Sequence, residues 1–175
     1  MIAKGVSIIS NSNFIGAVKK KIIKEFIKDD AIVQAIHAVD IPSPEKLVGT
    51  HIFNYHENPN TINKVMTFIT IQVHIPINNR WANKTYIQPR IEIWIISHKN
   101  HMVVDNVPKI ISNRNDYLAS LIDKKLNGRS DFGIDKLTLK GNTEGCYQQD
   151  YVYRTLVFEG LDLNNTLCDE DSQEW

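Results

Sequence analysis

The sequence predicts an α+β fold: a mainly antiparallel β-sheet, with an N-terminal helix and a second helix packed on one face. Three observations predict it. Apolar residues first recur every four positions (Phe14, Val18, Ile22, Phe26), as on one side of a helix. From His51 the period drops to two and stays there through two long strands. It returns to helical spacing over residues 115–126 and then gives way to further strands. A chain of 175 residues is long enough for one cored domain and short for two. That domain is assigned to residues 1–168, with residues 169–175 as a flexible acidic tail.

The elements follow in order. Ser10-Asn11-Ser12-Asn13 supplies side-chain oxygens able to cap the first turn of a helix. The stripe from Phe14 to Phe26, with Ile15 and Ile23 beside it, makes that helix amphipathic, and Lys19, Lys20, Lys21 and Lys24 carry its other face. A basic amphipathic helix suits a membrane surface, but packing on a sheet accounts for the same stripe and is the preferred reading. Asp29-Asp30 punctuates it, Ala31 to Val39 forms a second helical piece, and Pro42 and Pro44 end the helical region. His51 to His56 alternates as a strand. A longer strand runs from Val65 to Ile75, and a third from Tyr86 to Ser97 with Ile91, Ile93 and Ile95 on one face. Residues His98 to His101 have the length of a hairpin link into Met102-Val103-Val104. The helix over 115–126 is capped by Asn115 or Asp116 and stopped by Gly128. Leu137 and Leu139 open a strand, Asn142-Thr143-Glu144-Gly145 reads as a turn, and Tyr147 to Phe158 is the last strand.

Charge narrows the function classes. Lysine plus arginine balance aspartate plus glutamate at 20 each, which argues against a dedicated duplex-binding protein. The charges are unevenly placed. Six lysines face one acid from Met1 to Lys28, and six acids face no base from Glu159 to Trp175. Such polarity lets copies of the chain attract one another. The apolar runs are too interrupted to span a bilayer, and the first thirteen residues lack the apolar core of a secretory signal. Two cysteines, Cys146 and Cys168, are expected as reduced thiols in the cytosol.

No motif carries catalytic chemistry. His98 and His101 share a turn, and His51, His56 and His74 lie on strands, but their spacing matches no zinc pattern. Glu92 with Lys99 lacks the spacing of a metal-dependent nuclease, and Cys146 has no adjacent histidine to make a thiolate. Gly128, Gly133, Gly141 and Gly145 form no phosphate loop. The expectation is therefore a non-enzyme with no cofactor and no metal. Tyr147, Tyr151 and Tyr153 with nearby Arg154 offer either stacking surfaces for a single strand or cross-strand aromatic packing. Zero net charge favours packing.

The C-terminal half carries a resemblance. Its residues are Val104-Asp105-Asn106-Val107-Pro108, Arg114-Asn115-Asp116-Tyr117-Leu118, Leu126-Asn127-Gly128, Phe132-Gly133-Ile134 and Tyr151-Val152-Tyr153-Arg154. Following an N-terminal helix and two long strands, this pattern resembles the neck and tail-completion proteins of tailed bacteriophages in size and element order. The resemblance implies a structural virion protein at the head–tail junction, a tail terminator or neck connector. Such proteins form rings, commonly hexamers, that cap the tail tube and join it to the head, after assembly in the host cytoplasm. The implied partners are further copies of the chain and the neighbouring tail-tube and head-connector proteins. DNA passes through the lumen without specific binding, and no membrane is involved. Candidate contacts are Trp81, the His98-Lys99-Asn100-His101 tip, and Lys19 and Lys20 meeting Asp169 and Glu170 of a neighbour. The alternative is a sheet-based binding module for a peptide or single-stranded nucleic acid.

Overall fold

The computed structural model describes residues 11–59, 64–75, 86–87, 89–132, 136–147, 149–160 and 162–163. Its centre is a five-stranded sheet. The strands are β1 (Ile52–Phe53), β2 (Thr67–His74), β4 (Arg90–His98), β5 (Thr138–Tyr147) and β6 (Tyr151–Glu159), in the spatial order β1-β2-β4-β6-β5. All pairs are antiparallel except β1 with β2, which is parallel. A separate ribbon pairs β3 (Tyr86–Ile87) with β7 (Asp162–Leu163). The α+β architecture is as the periodicity predicts, N-terminal helix first.

Three helices cover one sheet face: α1 (Asn11–Ile27), α2 (Asp30–Ile36) and α3 (Arg114–Leu126). The helical stripe is the reason. Val18, Ile22, Ile23 and Phe26 of α1 are buried, and they pack with Leu118, Ile122 and Leu126 of α3. Beneath them lie Ile69, Ile71 and Val73 of β2, Ile91, Ile93 and Ile95 of β4, and Leu156 and Phe158 of β6. Each such side chain contributes about 1.5–3 kcal/mol by leaving water. Asp29 links the helices. Its Oδ1 accepts from the amides of Ala31 and Ile32, capping α2, and its Oδ2 meets Lys125 of α3 at 3.0 Å.

The opposite face is built differently. Phe53, Met66, Phe68, Ile96 and Tyr151 form a second cluster, with Trp94, Tyr147 and Tyr153 packed against it, and no helix residue joins them. A parallel β1–β2 pair requires a crossover, and the segment after β1 begins it over this face. There the His56 ring meets Trp94 edge-on at 5.5 Å and bonds Gln72 at 3.0 Å.

Several local expectations are corrected. Residues 102–104 form no strand, because β6 takes the place beside β4 that the expected hairpin would fill. The carbonyls of His101 and Val103 instead accept from Arg114. Lys99–His101 is a single 3-10 turn. Asn142 to Gly145 lies inside β5, and the chain reverses after Tyr147. The cap of α3 is Asn113, whose Oδ1 accepts from the Asp116 amide at 2.9 Å, rather than Asn115 or Asp116. The second helical piece stops at Ile36 because His37 adopts a φ of 55° and ends it. The strand from His51 shrinks to Ile52–Phe53. The third strand divides into β3 and β4, with Pro89, which has no amide hydrogen, just before β4.

Candidate interface surfaces

Three features away from the main core carry chemistry, and the first two meet where the end of β4 leaves the sheet. The first is a chain of buried polar groups. His101 Nδ1 lies 2.8 Å from Thr67 Oγ1, which lies 2.7 Å from Ser97 Oγ. Ser97 donates to Asn115 Oδ1 at 2.6 Å, and Asn115 Nδ2 donates to the Val152 carbonyl. Thr67, Ser97 and Asn115 are all buried, so their mutual bonding is what makes the burial tolerable. Next to this chain sits Arg114, 1% exposed. Its guanidinium donates to the carbonyls of His101, Ala35 and Val103, each at 2.6 Å, and to Asn106 Oδ1 at 3.2 Å. One buried cation thereby ties the end of α2, the 99–101 turn and the following loop to the start of α3.

The second feature is a cavity of about 600 Å³ between the end of α2 and β1. His37, His51 and His101 line it, with the His37 and His101 rings stacked at 5.6 Å. Phe53, Met66 and Ile41 form apolar wall, and Val39, Asp40, Lys64 and Val65 surround the mouth. Burial pushes His101 down to about 4, and the Arg114 guanidinium and the neighbouring rings of His37 and His51 add to the effect. Burial, with Lys64 nearby, lowers His51 as well. The cavity therefore disfavours the charged forms of His51 and His101 and sets these rings against apolar walls. Among the described residues, no group of three or more His, Cys, Asp or Glu side chains is arranged to hold a metal ion.

The third feature is a trough of about 480 Å³ on the helix-free sheet face, over β4, β6 and β5. Gly141, Thr143, Thr155 and Val157 floor it, and Trp94 and Tyr153 wall it with ring centroids 4.8 Å apart. Arg90 and Glu92, paired at 2.9 Å, stand at its end. Thr70, Trp94 and Thr155 are cross-strand neighbours in one row. Thr70 Oγ1, Trp94 Nε1 and Thr155 Oγ1 are buried and lack a hydrogen-bond partner among the described residues. These atoms lie under the surface, so their unmet hydrogen bonds are a cost internal to the sheet and not a contact offered to a neighbour.

The sequence-predicted contacts divide among these features. His98 is half-buried, accepting from the Asn100 amide at 3.1 Å and meeting Tyr151 edge-on at 5.3 Å. Lys99 and Asn100 are exposed, and the Lys99 amide bonds the Asp150 carbonyl, so this turn abuts the β5–β6 reversal. His101 points the other way, into the cavity. Lys19 Nζ donates to the Asn54 carbonyl at 2.8 Å, and Lys20 is exposed. Trp81, Asp169 and Glu170 lie outside the described residues. Arg154 sits on the helix side, bonded to Asp116, Asn142 and Glu144, away from Tyr151 and Tyr153. That separation removes the tyrosine–arginine stacking surface considered for a single strand. Sequence reading missed His37 and the role of Arg114. No pattern signals either, since a histidine in a left-handed cap and an arginine bonding distant carbonyls leave no periodic trace.

The sequence model of the YomW family matches residues 12–159, from the first turn of α1 to the end of β6. The chain belongs to the YomW family. That family is phage-derived, which makes this a phage-related protein. No curated protein matches the chain.

Proposed function

We propose that the chain is a structural virion protein of the head–tail junction, a tail terminator or neck connector assembling as a ring, expected to be a hexamer. The ring would cap the tail tube and meet the head connector, with no catalytic role. The observation that carries this reading is the helix-free sheet face. The half-buried rings of Trp94, Tyr147 and Tyr153, packed on its aromatic cluster beside the open trough, offer an aromatic surface suited to a neighbour. Four further points support it. Membership of a phage-derived family fits, as does the helix, strands, helix, strands order shared with neck proteins. Zero net charge suits a lumen through which DNA passes without being gripped. The sheet also keeps a ten-residue edge strand, β5, that pairs only with β6 among the described residues, and edges of this kind are natural contact sites.

The test is localisation in purified particles. An antibody to the chain should label the head–tail junction in electron micrographs, and the chain should appear in the particle proteome. Label confined to cell lysate, with particles devoid of the chain, refutes a virion role.

A further inference from the structure

The loop between the 99–101 turn and α3 ends in an apolar knob. Its base is fixed, because Arg114 holds the carbonyls of His101 and Val103 and Asn106 Nδ2 donates to the Gln34 carbonyl at 2.5 Å. Beyond that base Lys109 adopts a φ of 68°, a left-handed conformation disfavoured by roughly 1–2 kcal/mol for a residue with a side chain. Two residues on, Ile111 is fully exposed at 102%. A slack loop would fold such a side chain back onto the body and recover its burial. This one is anchored and strained in a shape that holds the isoleucine out, as contact residues are often held.

The cavity between α2 and β1 is the complement of that knob. Val39 and Val65 stand at its mouth, 77% and 54% exposed, with Phe53 and Met66 inside, and its volume of about 600 Å³ has room for several side chains. The charges match in pairs. Exposed Lys109 stands two residues before Ile111, and exposed Asp40 follows Val39; exposed Asp105 lies on the loop, and exposed Lys64 precedes Val65. The loop thus carries one charge of each sign, Lys109 near its tip and Asp105 at its Arg114-anchored base, and the cavity mouth carries Asp40 and Lys64.

We propose that the Ile111 loop of one copy seats in the α2–β1 cavity of the next, with Lys109 facing Asp40 and Asp105 facing Lys64. This rests on the ring reading and supplies one of its contacts. Loop and cavity are different patches of one chain, so the contact, repeated head to tail around an axis, would be of the heterologous kind that closes rings.

The test uses the full chain and two readouts. Native mass is measured for the unmodified protein, for Ile111→Asp, for Lys109→Asp and Asp40→Lys singly, and for the double exchange; circular dichroism verifies that each variant folds. Ile111→Asp should dissociate the oligomer, and each single charge reversal should weaken it. The double exchange should restore it. In a background with Cys146 and Cys168 replaced by serine, separately made Ile111→Cys and Val65→Cys proteins are then mixed with a mild oxidant. The mixed disulfide should dominate over both symmetric ones. If the unmodified protein is a monomer, the ring reading and this contact both fall. If it is oligomeric and Ile111→Asp leaves it so, or the mixed disulfide does not dominate, the ring reading stands and this contact is overturned. The cavity would then belong to a partner of other sequence.

Discussion

Replacing Arg114 with methionine keeps most of the side-chain length and removes the guanidinium, which makes it the sharpest single perturbation of this fold. Three carbonyls, from α2, the 99–101 turn and the following loop, lose a donor at 2.6 Å, and Asn106 loses one at 3.2 Å. Hydrogen bonds to a charged group contribute about 1.5–3 kcal/mol each. They do not sum fully, because the buried cation also has a desolvation cost that methionine avoids. Burial lowers the Arg114 pKa, consistent with that cost, and Asp105 at 3.9 Å offsets it only in part, since its carboxylate is 77% exposed. The net loss expected is about 4 kcal/mol, near the 3–5 kcal/mol seen when one partner of a buried ionic contact is removed. With a urea m-value of about 2 kcal/mol/M, the unfolding midpoint should fall by about 2 M. Arg114→Lys should recover only part of this, because one ammonium lacks the planar spread needed to serve all three carbonyls. Urea unfolding followed by circular dichroism reads the effect. A midpoint shift under about 0.5 M for Arg114→Met would refute the idea that this cation ties the four segments together.

Other outcomes follow from the same geometry. His101 is held at about 4, below its ordinary 6.5, so the unfolded chain binds more protons between those values and stability should fall as pH drops from about 6.5 to 4. At about 1.4 kcal/mol per unit, the loss reaches about 3 kcal/mol. His101→Gln should flatten most of it in urea titrations across pH, leaving the smaller effect of His51 in the same direction. Below about pH 4 a separate loss should appear. Arg129 holds the Asp131 carboxyl below its ordinary range, with Lys21 assisting, and Glu25 is lowered by the same arginine. Arg129→Gln should remove that acid limb. A Cβ on Gly145 would stand 2.6 Å from the Tyr153 hydroxyl, so Gly145→Ala should displace the end of the Tyr153 ring from Trp94 and shift tryptophan fluorescence, with little loss of stability because only the far end of one side chain must move. Ser97→Ala breaks the buried polar chain between Thr67 and Asn115 and should reduce the unfolding free energy by about 1–3 kcal/mol.

Elements whose side chains repeat with a fixed period were legible from the chain alone. Val18, Ile22 and Phe26 were predicted as one helical face and are buried together. Ile91, Ile93 and Ile95 were predicted as one strand face and lie beneath the helices. What was not legible depends on partners far away in sequence. The expected hairpin at His98–His101 had the right length and flanking residues, yet β4 pairs with a strand more than fifty residues later, and length alone cannot foresee that competitor. Gly145 looked like a turn residue, but its lack of a side chain serves the ring of Tyr153 across the strands. The cavity was equally hidden. His37, His51 and His101 come from three separate segments; Arg114 draws the first and last together through carbonyl oxygens, and the β1–β2 pairing brings in His51, backbone features no residue pattern encodes. The phage connection was legible as a resemblance, through the order of elements and the composition around α3.

The central claim is that this chain closes on copies of itself. Native mass spectrometry across a dilution series, at low and high salt, tests it most directly. The account predicts one discrete oligomer, with a hexamer expected, at micromolar concentration, and dissociation as Ile111 or the Lys109–Asp40 charges are altered. A single monomer peak at every concentration and salt would contradict it.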